Sequence, residues 1–216
     1  MIDHLRDALR REFDEPLLRE SGLFSWKEAA SSEPRAASDQ SHPPGTPLDK
    51  GGSEPEARSS QPAAIYSKFR NRVMFPIAND QGKVIAFTAR TLSTDDKAGP
   101  KYLNSPETPI YSKSKVLFNL DQAKEAIRKL EYAILVEGQM DCISVSAAGF
   151  HNVIASSGTA FTELQAKLLG RFSKNIVVNF DPDTAGARAT ERTLGLLVEE
   201  EFNIKVLSLE SGFDPD

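Results

Sequence analysis

The sequence predicts an α/β protein whose larger part is a parallel sheet flanked by helices, preceded by a smaller α+β unit. Three observations predict this. After Leu130 four short apolar runs, "YAILVEG", "NVIASSG", "NIVVNFD" and "IKVLSLE", follow one another, each bounded by Gly, Asn or an acid. Strands that are apolar throughout are those covered on both faces, as in a parallel sheet. Between them lie helix-like stretches of about ten residues or more, the alternation that builds an α/β layer. Ahead of these, "VMFPI" and "KVIAFTAR" flank the turn signal "NDQG", which reads as an antiparallel hairpin.

From the N-terminus, "DHLRDALRREFDEPLLRESGLF" reads as helical, with Leu5, Leu9 and Phe13 near a 3.6-residue spacing and Gly22 as its stop, a helical piece over residues 1–26. Residues 27–64 hold one Leu, no aromatic, no Ile and no Val, among many Pro, Gly, Ser and Glu. Such a stretch cannot offset a backbone entropy of about 1–2 kcal/mol per residue, so a disordered linker or loop is expected there. Residues 65–130 form the smaller unit: the hairpin, a loop through "PKYLNSPETPIYSKSKVLFNL", then a helix "DQAKEAIRKL" with Ala123, Ala126, Ile127 and Leu130 on one face and Asp121 at its N-terminus. Residues 131–216 form the sheet domain, with helices over "MDCISVSAAG", "TELQAKLLGRF" and "AGARATERTLGLLVEEE".

With 216 residues, 39% of them hydrophobic, the chain is long enough to bury a core. No apolar run approaches the roughly 20 residues that cross a bilayer, and no signal segment opens the chain, so a cytoplasmic protein without membrane contact is expected. The single Cys142 excludes an internal disulfide and a Cys-rich zinc site, and His4, His42 and His151 are scattered. Any metal should therefore be hard and oxygen-bound. The net charge of -5 conceals an asymmetry: residues 65–115 carry nine basic and four acidic residues, residues 131–216 six basic and thirteen acidic. A basic segment ahead of an acidic one suits a polyanion-binding surface beside a cation site.

Ligands of open parallel sheets bind beyond the C-terminal ends of the strands, and acids are concentrated there. The first strand ends at Glu137, with Asp141 one turn into the next helix; the third ends at Asp181 and Asp183; the fourth is followed by Asp214 and Asp216. Six converging carboxylates repel one another and raise each other's pKa unless cations intervene. Mg²⁺, held by one or two carboxylates plus substrate phosphates, supplies that compensation. "DPD" alone fits a turn or a helix N-cap as well as a metal site. Acids at three strand ends of one sheet favour the metal, and Pro182, with φ near -65°, narrows the conformations open to its neighbours.

"LVEGQMD", "FDPDTAG" and the later "FDPD" resemble the Toprim domain shared by bacterial primases, type IA and type II topoisomerases and some nucleases. Upstream, "FRNRVMFPIANDQGKVIAFTAR" and "PKYLNSPETPIYSKSKVLFNL" resemble the basic subdomain of bacterial DnaG-type primases, so the resemblance spans about residues 65–216. It implies that Glu137, Asp181 and Asp183 are the catalytic Mg²⁺ ligands, supported by Asp141, Asp214 and Asp216. It implies that Arg70, Arg72, Lys101, Tyr102, Asn104 and Lys113 hold template and nucleotide. The activity implied is synthesis of short RNA primers on single-stranded DNA from NTPs, with two Mg²⁺ or Mn²⁺ ions, by a monomer. The family's zinc domain and its helicase-binding C-terminal domain are not in this sequence, and an ending at Asp216, inside a motif, reads as an incomplete catalytic core. The family often carries Gly where this chain has Pro182, and is usually short where this chain has residues 27–64. The rival readings are a Toprim nuclease, a topoisomerase fragment or a non-catalytic single-stranded-DNA-binding module. A topoisomerase needs a tyrosine nucleophile, and none of Tyr66, Tyr102, Tyr111 and Tyr132 has a convincing context for one.

Overall fold

The computed structural model describes residues 4–27, 64–93, 99–156, 160–180 and 184–207. The single helix expected at the N-terminus is two, α1 (His4–Leu9) and α2 (Glu15–Glu20). The break follows from Asp14, whose side chain accepts the Leu17 N–H at 3.2 Å, and from a proline in the first turn of α2, where no N–H is needed. β1 (Phe24–Lys27) pairs antiparallel with β2 (Ala64–Ser67), so the two borders of the polar stretch meet. The disorder expected over 27–64 otherwise falls on residues 28–63, outside the described residues. Leu18, Phe24 and Ile65 close a small core here, and the Arg19 guanidinium lies 4.2 Å from the Trp26 ring centroid.

A three-stranded antiparallel sheet follows: β3 (Arg72–Ala78), β4 (Val84–Thr91) and β5 (Tyr102–Asn104), in that order. The β3–β4 turn is built by Asn79, whose side-chain oxygen accepts from the Gln81 and Lys83 N–H groups, each at 3.0 Å. β5 lies where the sequence suggested loop. Three residues are too few to display a two-residue alternation, and pairing with β4 alone makes it a strand.

α3 (Leu120–Leu130) leads into the parallel sheet. It buries Leu120, Ala123 and Ile127, whereas Leu130, placed on the inner face from the sequence, is exposed at the C-terminal end, just before the left-handed cap at Glu131. Asp121 sits in its first turn, and the cap is Asn119 in the left-handed region at φ 68°. Next come β6 (Ala133–Val136), α4 (Gln139–Ala147), β7 (Val153–Ala155), α5 (Glu163–Leu169), β8 (Asn175–Val178), α6 (Thr184–Glu199) and β9 (Asn203–Val206). The strands run parallel in the order β7-β6-β8-β9.

Alternation along the buried strands divides the sheet between two cores. On one side Leu135, Ile154, Ile176 and Val178 pack with Ala123 and Ile127 of α3 and Leu197 of α6. On the other, Ile134, Val136, Val153 and Ala155 pack with Cys142 of α4 and with Ile77 and Ala86 of the antiparallel sheet. The second core joins the basic unit to the acidic one, and so places the antiparallel sheet beside the parallel one. No helix of the described residues is long and apolar enough to cross a membrane.

Two groups in this second core set an alkaline limit. Burial pushes the Cys142 thiol up to about 12, with the Asp141 charge adding to it; burial and Glu107 push the Tyr111 phenol up to about 12. In the unfolded chain these groups titrate near 9 and 10, so both stay protonated in the fold while the unfolded chain loses protons. Stability is therefore intact below pH 9 and falls as pH rises from 9 towards 12. Urea unfolding at pH 8, 10 and 11 should show that decline, and Cys142 should resist alkylation at pH 8 until denaturant is added.

Candidate metal and nucleic-acid site

The chain order β6, β7, β8 with the spatial order β7-β6-β8 makes the gap between β6 and β8 the topological switch point of the sheet. Leu135 pairs with Val178, and the Asn179 N–H donates to the Leu135 carbonyl at 2.9 Å, which brings Val136 and Asn179 side by side. Glu137 follows Val136 at this switch point, half-buried, and its carbonyl accepts from Ser156 Oγ at 3.5 Å. Asp141 is the third residue of α4, and its Oδ2 accepts the Gly138 N–H at 2.8 Å. Asp141 thus caps its own helix, close enough that a Cβ at Gly138 would stand 3.1 Å from Oδ2. Asp181 and Asp183, which follow the buried Phe180, and Asp214 and Asp216 lie outside the described residues. Among the described residues no three His, Cys, Asp or Glu side chains form a metal-binding group.

The basic segment separates into surfaces with different tasks. Cross-strand register places Val73, Arg90 and Tyr102 in one row of the antiparallel sheet, and Phe75, Thr88 and Asn104 in the next row of the same face. Tyr102 is 38% exposed, with the Arg90 guanidinium 5.7 Å and the Lys101 Nζ 5.6 Å from its ring centroid. Thr88 Oγ1 donates to Asn104 Oδ1 at 2.5 Å and fixes that amide. Arg72 extends from the opposite face, and its Nη1 donates to the Lys101 carbonyl at 3.3 Å, bracing the start of β5. Arg70 stands apart, 5.2 Å over the Tyr66 ring.

Lys113 belongs to a stretch held by hydrogen bonds at both ends. Its N–H donates to Glu107 Oε1 at 2.9 Å, and this bond, with Ser112 and the nearby lysines, holds the Glu107 carboxyl below the usual range. Its carbonyl accepts from Gln165 Nε2 at 3.0 Å, and the same nitrogen reaches the Val116 carbonyl at 2.7 Å. Gln165 is fully buried; its Oε1 accepts from the Thr162 N–H, while Thr162 Oγ1 accepts from the Gln165 N–H and donates to the Ser114 carbonyl. A helix N-cap thereby doubles as the seat of the basic loop. Burial lowers the Lys68 pKa, and the Lys113 charge lowers it further, so the two charges lie within electrostatic reach of one another.

Of the expected nucleic-acid contacts, Tyr102 and Asn104 lie on one small antiparallel sheet with Lys101 at its edge, Lys113 lies within electrostatic reach of Lys68, and Arg70 and Arg72 have local tasks. Arg90 and Lys68 were missed by sequence reasoning. Arg90 becomes visible only once β5 is known to pair with β4, and Lys68 only once the 113–116 stretch is placed.

Residues 53–124 match the family described as DNA primase catalytic core, N-terminal domain, and residues 134–216 match the Toprim-like family. A DNA primase of Staphylococcus aureus is 42% identical over 160 residues, covering 74% of this chain and 26% of that protein. The chain thus spans about a quarter of the length of that relative. A DNA primase domain from Pseudomonas aeruginosa superposes with a TM-score of 0.71 at 31% identity, over 97% of this chain and 56% of that one. A DnaG primase catalytic domain bound to single-stranded DNA superposes with a TM-score of 0.63 at 36% identity, over 70% of this chain and 48% of that one.

Proposed function

Because the chain belongs to the DnaG-type DNA primase family, with its catalytic-core N-terminal and Toprim-like domains, we propose that it is the catalytic core of an enzyme that synthesises RNA primers on single-stranded DNA from NTPs. The observation that carries this reading is a carboxylate, Glu137, at the switch point of a parallel sheet whose neighbouring strand runs directly into Asp181-Pro182-Asp183, with a cationic, aromatic face on the adjoining sheet.

Glu137, Asp181 and Asp183 hold the divalent metal, and Asp141, Asp214 and Asp216 complete the acidic set; all are hard oxygen donors, as Mg²⁺ or Mn²⁺ requires. When bound, two such ions lower the pKa of the primer 3′-OH and neutralise charge on the departing pyrophosphate. The protein's share is to bind and orient. Arg90, Lys101 and Lys113 hold the template backbone and the triphosphate, and Tyr102 stacks on a base. Asn104, its Oδ1 occupied by Thr88, is oriented with its amide N–H₂ directed to the nucleic acid. A replicative helicase engages the full-length monomer through a further domain, in the cytoplasm.

The face predicts its own energetics. Tyr102→Ala should weaken single-stranded DNA binding by the equivalent of about 1–3 kcal/mol, the worth of one base stack. Lys113→Ala should weaken it more at low salt than at high, lowering the slope of log affinity against log salt by about 1. Fluorescence anisotropy over a salt series reads both. For the activity, full-length protein with single-stranded DNA, labelled NTPs and Mg²⁺ should yield labelled RNA. Cleavage of the DNA without NTPs, and no RNA, would favour a Toprim nuclease instead.

A further inference from the structure

Three buried side-chain polar atoms of the described residues have no hydrogen-bond partner: Thr108 Oγ1, Gln139 Nε2 and Asn179 Oδ1. Two of them flank Glu137. Gln139, 6% exposed, follows it by two residues at the start of α4; Asn179, 5% exposed, lies beside Val136 across the β6–β8 ladder. Gln139 precedes Cys142 by three residues, hence shares its helix face, and Cys142 is packed in the core beneath α4. Val178 and Phe180 belong to the core on the opposite side of the sheet, so alternation turns Asn179 towards α4 as well. Both amides are therefore buried on one side of the same strand tips.

An unpartnered buried amide atom opposes folding, whereas an apolar side chain of similar shape would not. What the two atoms lack is complementary: Nε2 is a donor in need of an acceptor, Oδ1 an acceptor in need of a donor. A hydrated divalent cation held by carboxylates offers both, an acceptor in each carboxylate oxygen and a donor in each coordinated water. We infer that Gln139 and Asn179 are positioning residues of the metal site, the first bonding a ligating carboxylate and the second a metal-bound water. The inference rests on the metal reading of Glu137 given above and deepens it. Groups that orient metal ligands in this way govern affinity strongly, by about 10–100-fold.

The test is Mn²⁺ titration calorimetry on the 216-residue chain, with melting temperatures measured in chelator, for the wild type, Asn179→Leu, Gln139→Met and Glu137→Gln. Asn179→Leu and Gln139→Met should each bind Mn²⁺ about 10-fold or more weakly while melting, metal-free, no lower than the wild type. A role in folding alone would not produce that combination. Mn²⁺ affinity within about 2-fold of wild type, in a background where Glu137→Gln abolishes binding, overturns the inference and leaves the metal site standing. A drop in metal-free melting temperature in both variants overturns it too, since the amides would then already be satisfied. A wild-type chain that binds no Mn²⁺ overturns the metal reading and the inference together.

Discussion

Glu137→Gln is expected to lower nucleotide incorporation by about 10³-fold, the equivalent of roughly 4 kcal/mol of transition-state stabilisation withdrawn with a metal ligand. Glu137 stands at the switch point between β6 and β8, outside both apolar cores, and glutamine keeps its shape while removing its charge. Melting temperature should therefore change by little, and the loss should appear in the rate of labelled-nucleotide incorporation by the full-length protein. A variant that keeps more than about a tenth of the wild-type rate would remove Glu137 from the metal site.

Gln165→Ala is the change expected to cost most in stability. The Gln165 side chain is wholly buried and bonds the carbonyls of Lys113 and Val116 and the N–H of Thr162 at once. Alanine strands all three backbone groups and leaves a cavity, a loss of about 3 kcal/mol or more. For a chain of this size that lowers the melting temperature by roughly 6–12 °C. Because the bonds hold the 113–116 stretch, the seat of Lys113 loosens with them, and single-stranded DNA affinity should fall further than in Lys113→Ala. Thermal melting and anisotropy on the same preparation check both, and a melting temperature within about 2 °C of wild type would contradict the assignment.

Much of the fold was legible because the central strands β6 and β7 are buried on both faces, whereas the edge strand β9 is largely exposed. "AILV" is buried at every position and "NIVV" at alternate ones, both short apolar runs between turn signals, and the position of Glu137 directly after the first of them follows. The hairpin was legible from its turn, where the Asn79 side chain accepts from the Gln81 and Lys83 N–H groups. β5 was not, since three residues carry no period, nor was the split of the first helix, where Asp14 and the following proline overrule an otherwise continuous apolar spacing. The site divides in the same way. Acids at strand tips are visible along the chain, but Arg90 beside Tyr102, Lys68 near Lys113 and the amides of Gln139 and Asn179 are neighbours only through register and packing. Such partners sit on different strands and carry no mark in the linear order.

The metal role of Asp181 and Asp183 is tested by RNA synthesis with full-length wild-type protein and with the Asp181→Ala/Asp183→Ala double variant, run in parallel on single-stranded DNA with labelled NTPs and Mg²⁺. RNA products are expected from the wild type and none from the variant, with single-stranded DNA affinity retained by both. RNA synthesis by the variant at the wild-type rate would contradict that role.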